Sequence, residues 1–166
     1  MLQAALYALI ALTAFAAMEA VAWATHRYVM HGWGWGWHKS HHEEHEGVFE
    51  KNDLYAVCFA ALSIGLFVAG LYVPYVTWVG LGVLLYGVFY FIFHDGLVHH
   101  RWLFKNPPRN GYMKRLYQAH KLHHAVDGRE GAVSFGFLYA PPVASLKKQL
   151  RNLEPVREAE RQRLHS

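Results

Sequence analysis

One cysteine, Cys58, stands in 166 residues, which excludes a disulfide framework, a cysteine zinc site and a cysteine-held iron–sulfur cluster. CxxCH is absent too, so covalent c-type haem is excluded. The HExxH of zincins is missing, because "HHEEHE" carries Glu46 where the second histidine would stand, and the Glu-x-x-His of ferritin-like di-iron proteins does not occur. No lysine or arginine precedes Arg27, and no charge of either sign lies between Leu54 and Phe93.

What fills these charge-free stretches is apolar. Leu2 to Ala24 holds one charge, Glu19, and the forty residues from Leu54 to Phe93 are broken only by Pro74 near their middle. Roughly 20 helical residues cross a hydrocarbon core, so the runs predict three spans, at about 2–24, 54–73 and 75–93. The expected fold class is an all-α integral membrane protein of one domain, residues 1–166, with a basic tail at 147–166. The mean hydropathy of +0.05 averages these spans with very polar connections.

Short loops rich in lysine and arginine stay cytoplasmic. This orients Arg27 to Lys51 and everything after His94 towards the cytoplasm. "AWA" at Ala22 to Ala24 has the form of a signal cleavage site, but the missing basic n-region and the long apolar run argue against cleavage. The net charge of +4 borders apolar spans, which suits anionic lipid headgroups and not nucleic acid.

Between the spans, Trp33, Trp35 and Trp37 alternate with glycine and read as an irregular interfacial anchor. A helix is expected from His38 to about Glu46, with Asn52-Asp53 capping the next span. "KNPPRNG" at Lys105 to Gly111 is loop and "YMKRLYQAHKLHHAV" a helix. The apolar segment Gly131 to Leu146 is too short and proline-broken for a fourth span and is expected to be re-entrant or interfacial. The tail reads as a solvated helix or disordered, with no function attached.

Thirteen histidines are present, and ten form four clusters: His26-x4-His31, His38-x2-His41-His42, His94-x4-His99 and His120-x2-His123-His124. Two crossings separate the first two clusters from the last two, so all four share one face of the membrane. Positions i, i+3 and i+4 lie on one side of a helix, which makes each HxxHH a convergent stripe and the two together a metal cage. Residues five apart are about 140° round an α-helix, so the Hx4H pairs diverge, to serve two ions or straddle one. Imidazole suits zinc, copper, iron and nickel alike, and ten ligands suit two ions of five each. His45, His100 and His165 fall outside this set.

The order Hx4H, HxxHH, two spans, Hx4H, HxxHH resembles the membrane fatty acid hydroxylase/sterol desaturase superfamily over nearly the whole chain. "HRYVMHGWGWGWHKSHH", "FHDGLVHHRW" and "AHKLHHA" are most similar to its bacterial carotenoid-hydroxylating branch. The resemblance implies a non-haem di-iron monooxygenase, with zinc a possible substitute in purified protein. It implies O2 as cosubstrate, a ferredoxin-type electron donor, and hydroxylation of β-ionone C3, taking β-carotene through cryptoxanthin to zeaxanthin. It assigns the metal to His26, His31, His38, His41, His42, His94, His99, His120, His123 and His124.

A ring methylene offers no acidic proton and no leaving group, so a strong oxidant is needed in place of acid–base or nucleophilic side chains. Acceptors for the far nitrogens of metal-bound imidazoles are sought among Glu43, Glu44, Glu46, Asp95, Asp127 and Glu19. The substrate is expected to enter sideways from lipid, with Tyr86, Phe89, Tyr90, Phe91 and Phe93 near the entry, although span packing explains them as well. Rival readings are an acyl or sterol hydroxylase or desaturase of the same architecture, or a metal-binding membrane transporter, whose ligands belong at the bilayer midplane on broken helices.

Overall fold

The computed structural model describes residues 1–43, 47, 49–102, 104–126 and 128–164. These form helices α1 (Leu2–Ala24), α2 (Trp35–His42), α3 (Asp53–Gly70), α4 (Pro74–Tyr90), α5 (Gly111–His123), α6 (Val143–Asn152) and α7 (Glu154–Leu164), with no strand among them. Both α1 and α4 run on as π-helical turns, Thr25–Trp33 and Phe91–Val98. With those extensions, three helices are long and apolar enough to cross a membrane: Leu2–Trp33, Asp53–Gly70 and Pro74–Val98.

The number of spans is the expected one, while their limits differ for physical reasons. Val73 is extended (φ −129°, ψ 93°) and Pro74 opens α4 in the first helical turn, where its missing N–H costs nothing, so α3 ends at Gly70. The first and third helices are longer than expected because they carry histidines on their final turns. At 32 residues, the first exceeds the roughly 20 needed for a crossing.

α4 packs between α1 and α3. Small residues make this possible: a Cβ on Gly82 would come within 2.6 Å of Ala14 Cβ on α1, and one on Gly80 within 3.1 Å of Leu66 Cβ on α3. Close approach of backbones at small residues is how helices associate where lipid removes the hydrophobic drive. Met18, Ala22, Val83 and Tyr86 are buried at the α1–α4 seam, while Leu12, Val57 and Ile64 face outwards.

A second core lies beyond the spans. Leu116 and Ala119 of α5, Val126, Ala132, Val133, Phe135 and Ala140 of the connection, and Leu146 and Leu150 of α6 bury one another. Residues 131–142 contain no helix, so the apolar segment from Gly131 to Leu146 is not a fourth span. Its side chains fill this core, and its carbonyls are spent on histidines, as described below. The tail is likewise more than a solvated appendage, since Leu146 and Leu150 bury α6 against α5.

Candidate metal centre

The sequence puts His26/His31 and His94/His99 on diverging sides of an α-helix, and the structure brings each pair together. The π-helical turns do this: a turn closed by an i→i+5 bond places the fifth residue beneath the first. His99 N–H donates to His94 O at 3.0 Å, and Gly34 N–H to Val29 O at 2.9 Å, both with that spacing. Ring centroids are 5.3 Å apart for His26–His31 and 4.7 Å for His94–His99. A kink at Gly32 then turns the chain into α2, which begins at Trp35 and ends at His42, earlier at both ends than expected. Trp35 is no simple interfacial anchor, since its ring packs on His31 and His42 at 5.2 and 5.3 Å.

All ten histidines of the four clusters meet. They form two groups, His26, His31, His38 and His123, and His41, His94, His99 and His120, with ligand atoms within 4.8 Å of one another in each. His42 joins the first through His38 (Nε2–Nε2 3.3 Å), and His124 the second through His120 (2.8 Å). The HxxHH stripes therefore do not each face one way. The i and i+4 members stay on their own side, while the i+3 members, His41 and His123, cross into the opposite group. The rings of His42 and His124 stack at 4.6 Å between the two groups.

Hydrogen bonds fix which nitrogen faces inwards in seven of the ten rings. Nδ1–H donates to a backbone carbonyl in His26 (Phe135, 2.9 Å), His31 (Arg129, 2.7 Å), His42 (Val126, 3.0 Å) and His123 (Val133, 2.9 Å). It donates to a side-chain oxygen in His38 (Asn52, 2.7 Å), His41 (Glu50, 2.8 Å) and His94 (Asp95, 2.7 Å). In a neutral ring so bonded, Nε2 carries a lone pair and no proton. Burial lowers the His38 and His99 pKa values to about 2, and burial and neighbouring rings lower those of His41, His120, His123 and His124, so these imidazoles are neutral.

Yet the inward nitrogens of the rings so fixed stand only 3.1 Å apart in His26–His38, 3.0 Å in His41–His94 and 3.2 Å in His31–His123. Lone pairs that close repel one another unless a cation lies between them. Two nitrogens bound to one ion at about 2.0–2.1 Å, near a right angle, stand about 3 Å apart. The donor set fits a pair of cations in chemistry and in spacing.

The outer partners correct several expectations. Asp95 does hold an imidazole, whereas Glu43 is exposed and pairs with Lys39 at 3.0 Å. Glu44, Glu46 and Asp127, like His45 and His165, lie outside the described residues. His100 donates to Phe104 O and belongs to neither group. Asn52 holds the N-cap position of α3 without capping it, its oxygen being taken by His38.

Glu50 carries no periodic signal, because α2 ends at His42 and Glu50 itself lies outside any helix, and sequence reasoning misses it. Burial pushes its carboxyl up to about 7, with Arg101 opposing. Arg101 forks onto Asp53 with two bonds of 2.9 Å and lies 3.6 Å from Glu50 and 3.7 Å from Asp95, tying together both carboxylates that hold rings of the second group.

The four carbonyls are missed for another reason: main-chain acceptors leave no mark in a side-chain sequence. Positive φ at Gly131 (83°) and Ser134 (61°) folds the strip that presents Val133 and Phe135. α7 braces the loop before it, with Arg157 donating to Ala125 O (2.9 Å) and Glu160 accepting from Arg129 N–H (3.2 Å).

Glu19 touches no imidazole among the described residues. Its carboxylate accepts from the amides of Phe137, Leu138 and Tyr139 at 2.9–3.1 Å and from the Tyr86 hydroxyl at 2.6 Å. Phe137, so held, stacks flat on His26 at 5.2 Å and meets His94 edge-on at 5.2 Å.

A cleft of about 330 Å³ runs among α1, α3 and α4 and reaches Tyr90, Asp95 and Phe137 beside His94. Of the expected aromatics, Tyr86, Tyr90 and Phe91 line it, whereas Phe89 packs on Phe15 at 5.3 Å and Phe93 borders a separate cavity of about 10 Å³ next to His94 and His120.

The fatty acid hydroxylase family pattern matches residues 11–140. The beta-carotene hydroxylase of Paracoccus sp. (strain PC1) is 60% identical over 136 residues, 81% of this chain and 84% of that protein. That of Pantoea ananas is 56% identical over 151 residues, covering 90% and 86%. The chloroplastic beta-carotene 3-hydroxylase 1 of Arabidopsis thaliana is 36% identical over 138 residues, 79% of this chain and 44% of the plant protein. No solved structure matches the chain.

Proposed function

The chain belongs to the fatty acid hydroxylase family, and on that premise we propose that it is a membrane hydroxylase of β-carotene, placing a hydroxyl on C3 of each ring at a centre of two irons. The observation that carries the reading is the convergence of ten imidazoles into two groups of cation-ready nitrogens, in a chain 54–60% identical to bacterial beta-carotene hydroxylases. His26, His31, His38, His42 and His123 would hold one ion, and His41, His94, His99, His120 and His124 the other.

Two bound irons would supply the oxidising power with O2: one oxygen atom is inserted into the ring C–H bond and the other leaves as water, with two electrons delivered one at a time by a ferredoxin-class donor and two protons taken from solvent. The protein's part is placement. The carbonyl and carboxylate acceptors keep Nε2 deprotonated and aimed inwards, which raises the rings' basicity as ligands. Arg101 offsets the charge of Glu50 and Asp95. Phe137 and Tyr90, the latter stacked on His94 at 4.4 Å, make an apolar wall where the substrate meets the centre and keep water from it. Clustering of lysine and arginine beside the histidines supports a cytoplasmic face for the centre in a bacterial inner membrane.

Expression in a host that accumulates β-carotene is expected to give cryptoxanthin and then zeaxanthin, with iron in the purified protein. Unchanged β-carotene alongside newly hydroxylated acyl chains would assign the enzyme to lipid instead.

The brace from α7 yields a separate expectation. Arg157→Ala frees the loop carrying the Val126 and Arg129 carbonyls that hold His42 and His31. Loss of such outer partners costs about 10–100-fold in metal affinity. Chelator competition on the purified variant measures this, and affinity equal to the wild type would show that the loop holds its shape unaided.

A further inference from the structure

The reading above leaves open how an apolar substrate reaches the irons. We infer that the cleft among α1, α3 and α4 is the binding site for one ring end of the carotenoid, entered sideways from the bilayer. This rests on the hydroxylase reading and adds the place of binding and the walls that set what fits.

The walls point to an apolar ligand. Met18, Ala22, Phe59 and Val83 contribute hydrocarbon and aromatic surface. The volume of about 330 Å³ lies in the range of ligand pockets, about 300–1,000 Å³. The mouth faces lipid, because Leu84, Val88 and Phe91 on its α4 side are 44%, 44% and 50% exposed. An aqueous solute has no reason to enter there.

The inner end identifies the occupant. Tyr90, Asp95 and Phe137 close it, and each touches His94: Tyr90 by stacking, Asp95 by its hydrogen bond to Nδ1, Phe137 edge-on. A molecule seated in the cleft therefore ends beside a ligand of the second ion. Acyl chains of the bilayer could occupy the mouth, whereas the inner end, separated from His94 only by these three side chains, suits the ring that is to react. The other cavity beside His94, about 10 Å³, holds one water at most.

Glycine provides a test that leaves the fold alone. Gly87 lines the cleft, and a Cβ built there meets nothing within 4 Å. Gly65 on α3 is equally open but does not line the cleft. Gly87→Phe should fill the space, and Ala60→Phe should do so from the α3 wall. Both are expected to lower zeaxanthin formation in the β-carotene-accumulating host by about a hundredfold, the scale on which displacing a substrate from its reacting position acts. Iron content and thermal unfolding midpoint should stay at wild-type values, and Gly65→Phe should hydroxylate normally. A graded loss through Gly87→Ala, Leu and Phe would add support.

Normal hydroxylation by both cleft variants would mean that bulk lipid fills the cleft and would overturn the proposal while leaving the hydroxylase reading intact. Loss of iron in the cleft variants would also overturn it, by making the wall a support of the centre. A wild-type protein that leaves β-carotene unchanged would defeat the hydroxylase reading itself, and this proposal with it.

Discussion

Replacing His123 with alanine is expected to empty the ion site of His26, His31, His38 and His42 while leaving the other loaded, although His120 and His124, its neighbours in sequence, belong to the loaded one. His124→Ala is expected to do the reverse. The geometry dictates this crossing: His123 Nε2 lies 3.2 Å from His31 Nε2, whereas His124 Nε2 lies 2.8 Å from that of His120.

Metal affinity in such a site comes from ligand count and preorganisation, so each variant should fall from about two ions per chain to about one, with hydroxylation reduced to background. His123 is fully buried, and its removal also strips the Val133 carbonyl of its donor, so some loss of stability accompanies the change. Metal analysis of both variants, with cobalt(II) absorption to identify which site remains, separates ligand loss from unfolding. Equal loss of both ions from both variants would show that the two groups act as one inseparable site.

The histidine pattern made legible which imidazoles meet, but not how they are arranged. Spacing of three and four put the triplets on helix faces, and both triplets do sit at helix ends. The sequence cannot show that α1 and α4 change from an i→i+4 to an i→i+5 ladder just where the Hx4H pairs lie, and that change alone turns divergent pairs into convergent ones. The spans were legible because charge-free runs of that length have no other use, and their ends were not, because apolar sequence continues into turns that carry ligands. Least legible was residues 125–135, whose contribution is made by carbonyl oxygens. The apolar segment from Gly131 to Leu146 reads as re-entrant or interfacial, while in the fold its side chains bury a small core that holds those carbonyls in place.

Glu19 shows how an acid within a span can be singled out and still be given the wrong partner. A carboxylate at that depth requires compensation, and seven residues separate it from His26 on nearly the same face, which suggested an imidazole. Its partners are instead the three successive amides of residues 137–139 and the Tyr86 hydroxyl. Glu19 is thus a positioning residue that pins Phe137 under His26 and beside the inner end of the cleft.

Glu19→Ala leaves those donors without a charged acceptor where water is scarce. Hydrogen bonds to charged groups contribute about 1.5–3 kcal/mol each, and with partial re-pairing the expected loss of stability is on the order of 3 kcal/mol. Glu19→Gln keeps one oxygen for the amides but turns an N–H towards Leu138 N–H, so it should fall between alanine and wild type. Because no imidazole loses a partner, iron content per folded chain should hold while turnover drops, as Phe137 no longer shapes the end of the cleft. Thermal unfolding in detergent, iron analysis and pigment assay on the same preparations test the three parts together. Turnover at the wild-type level in Glu19→Ala would show that the 137–139 turn keeps Phe137 in place without its anchor.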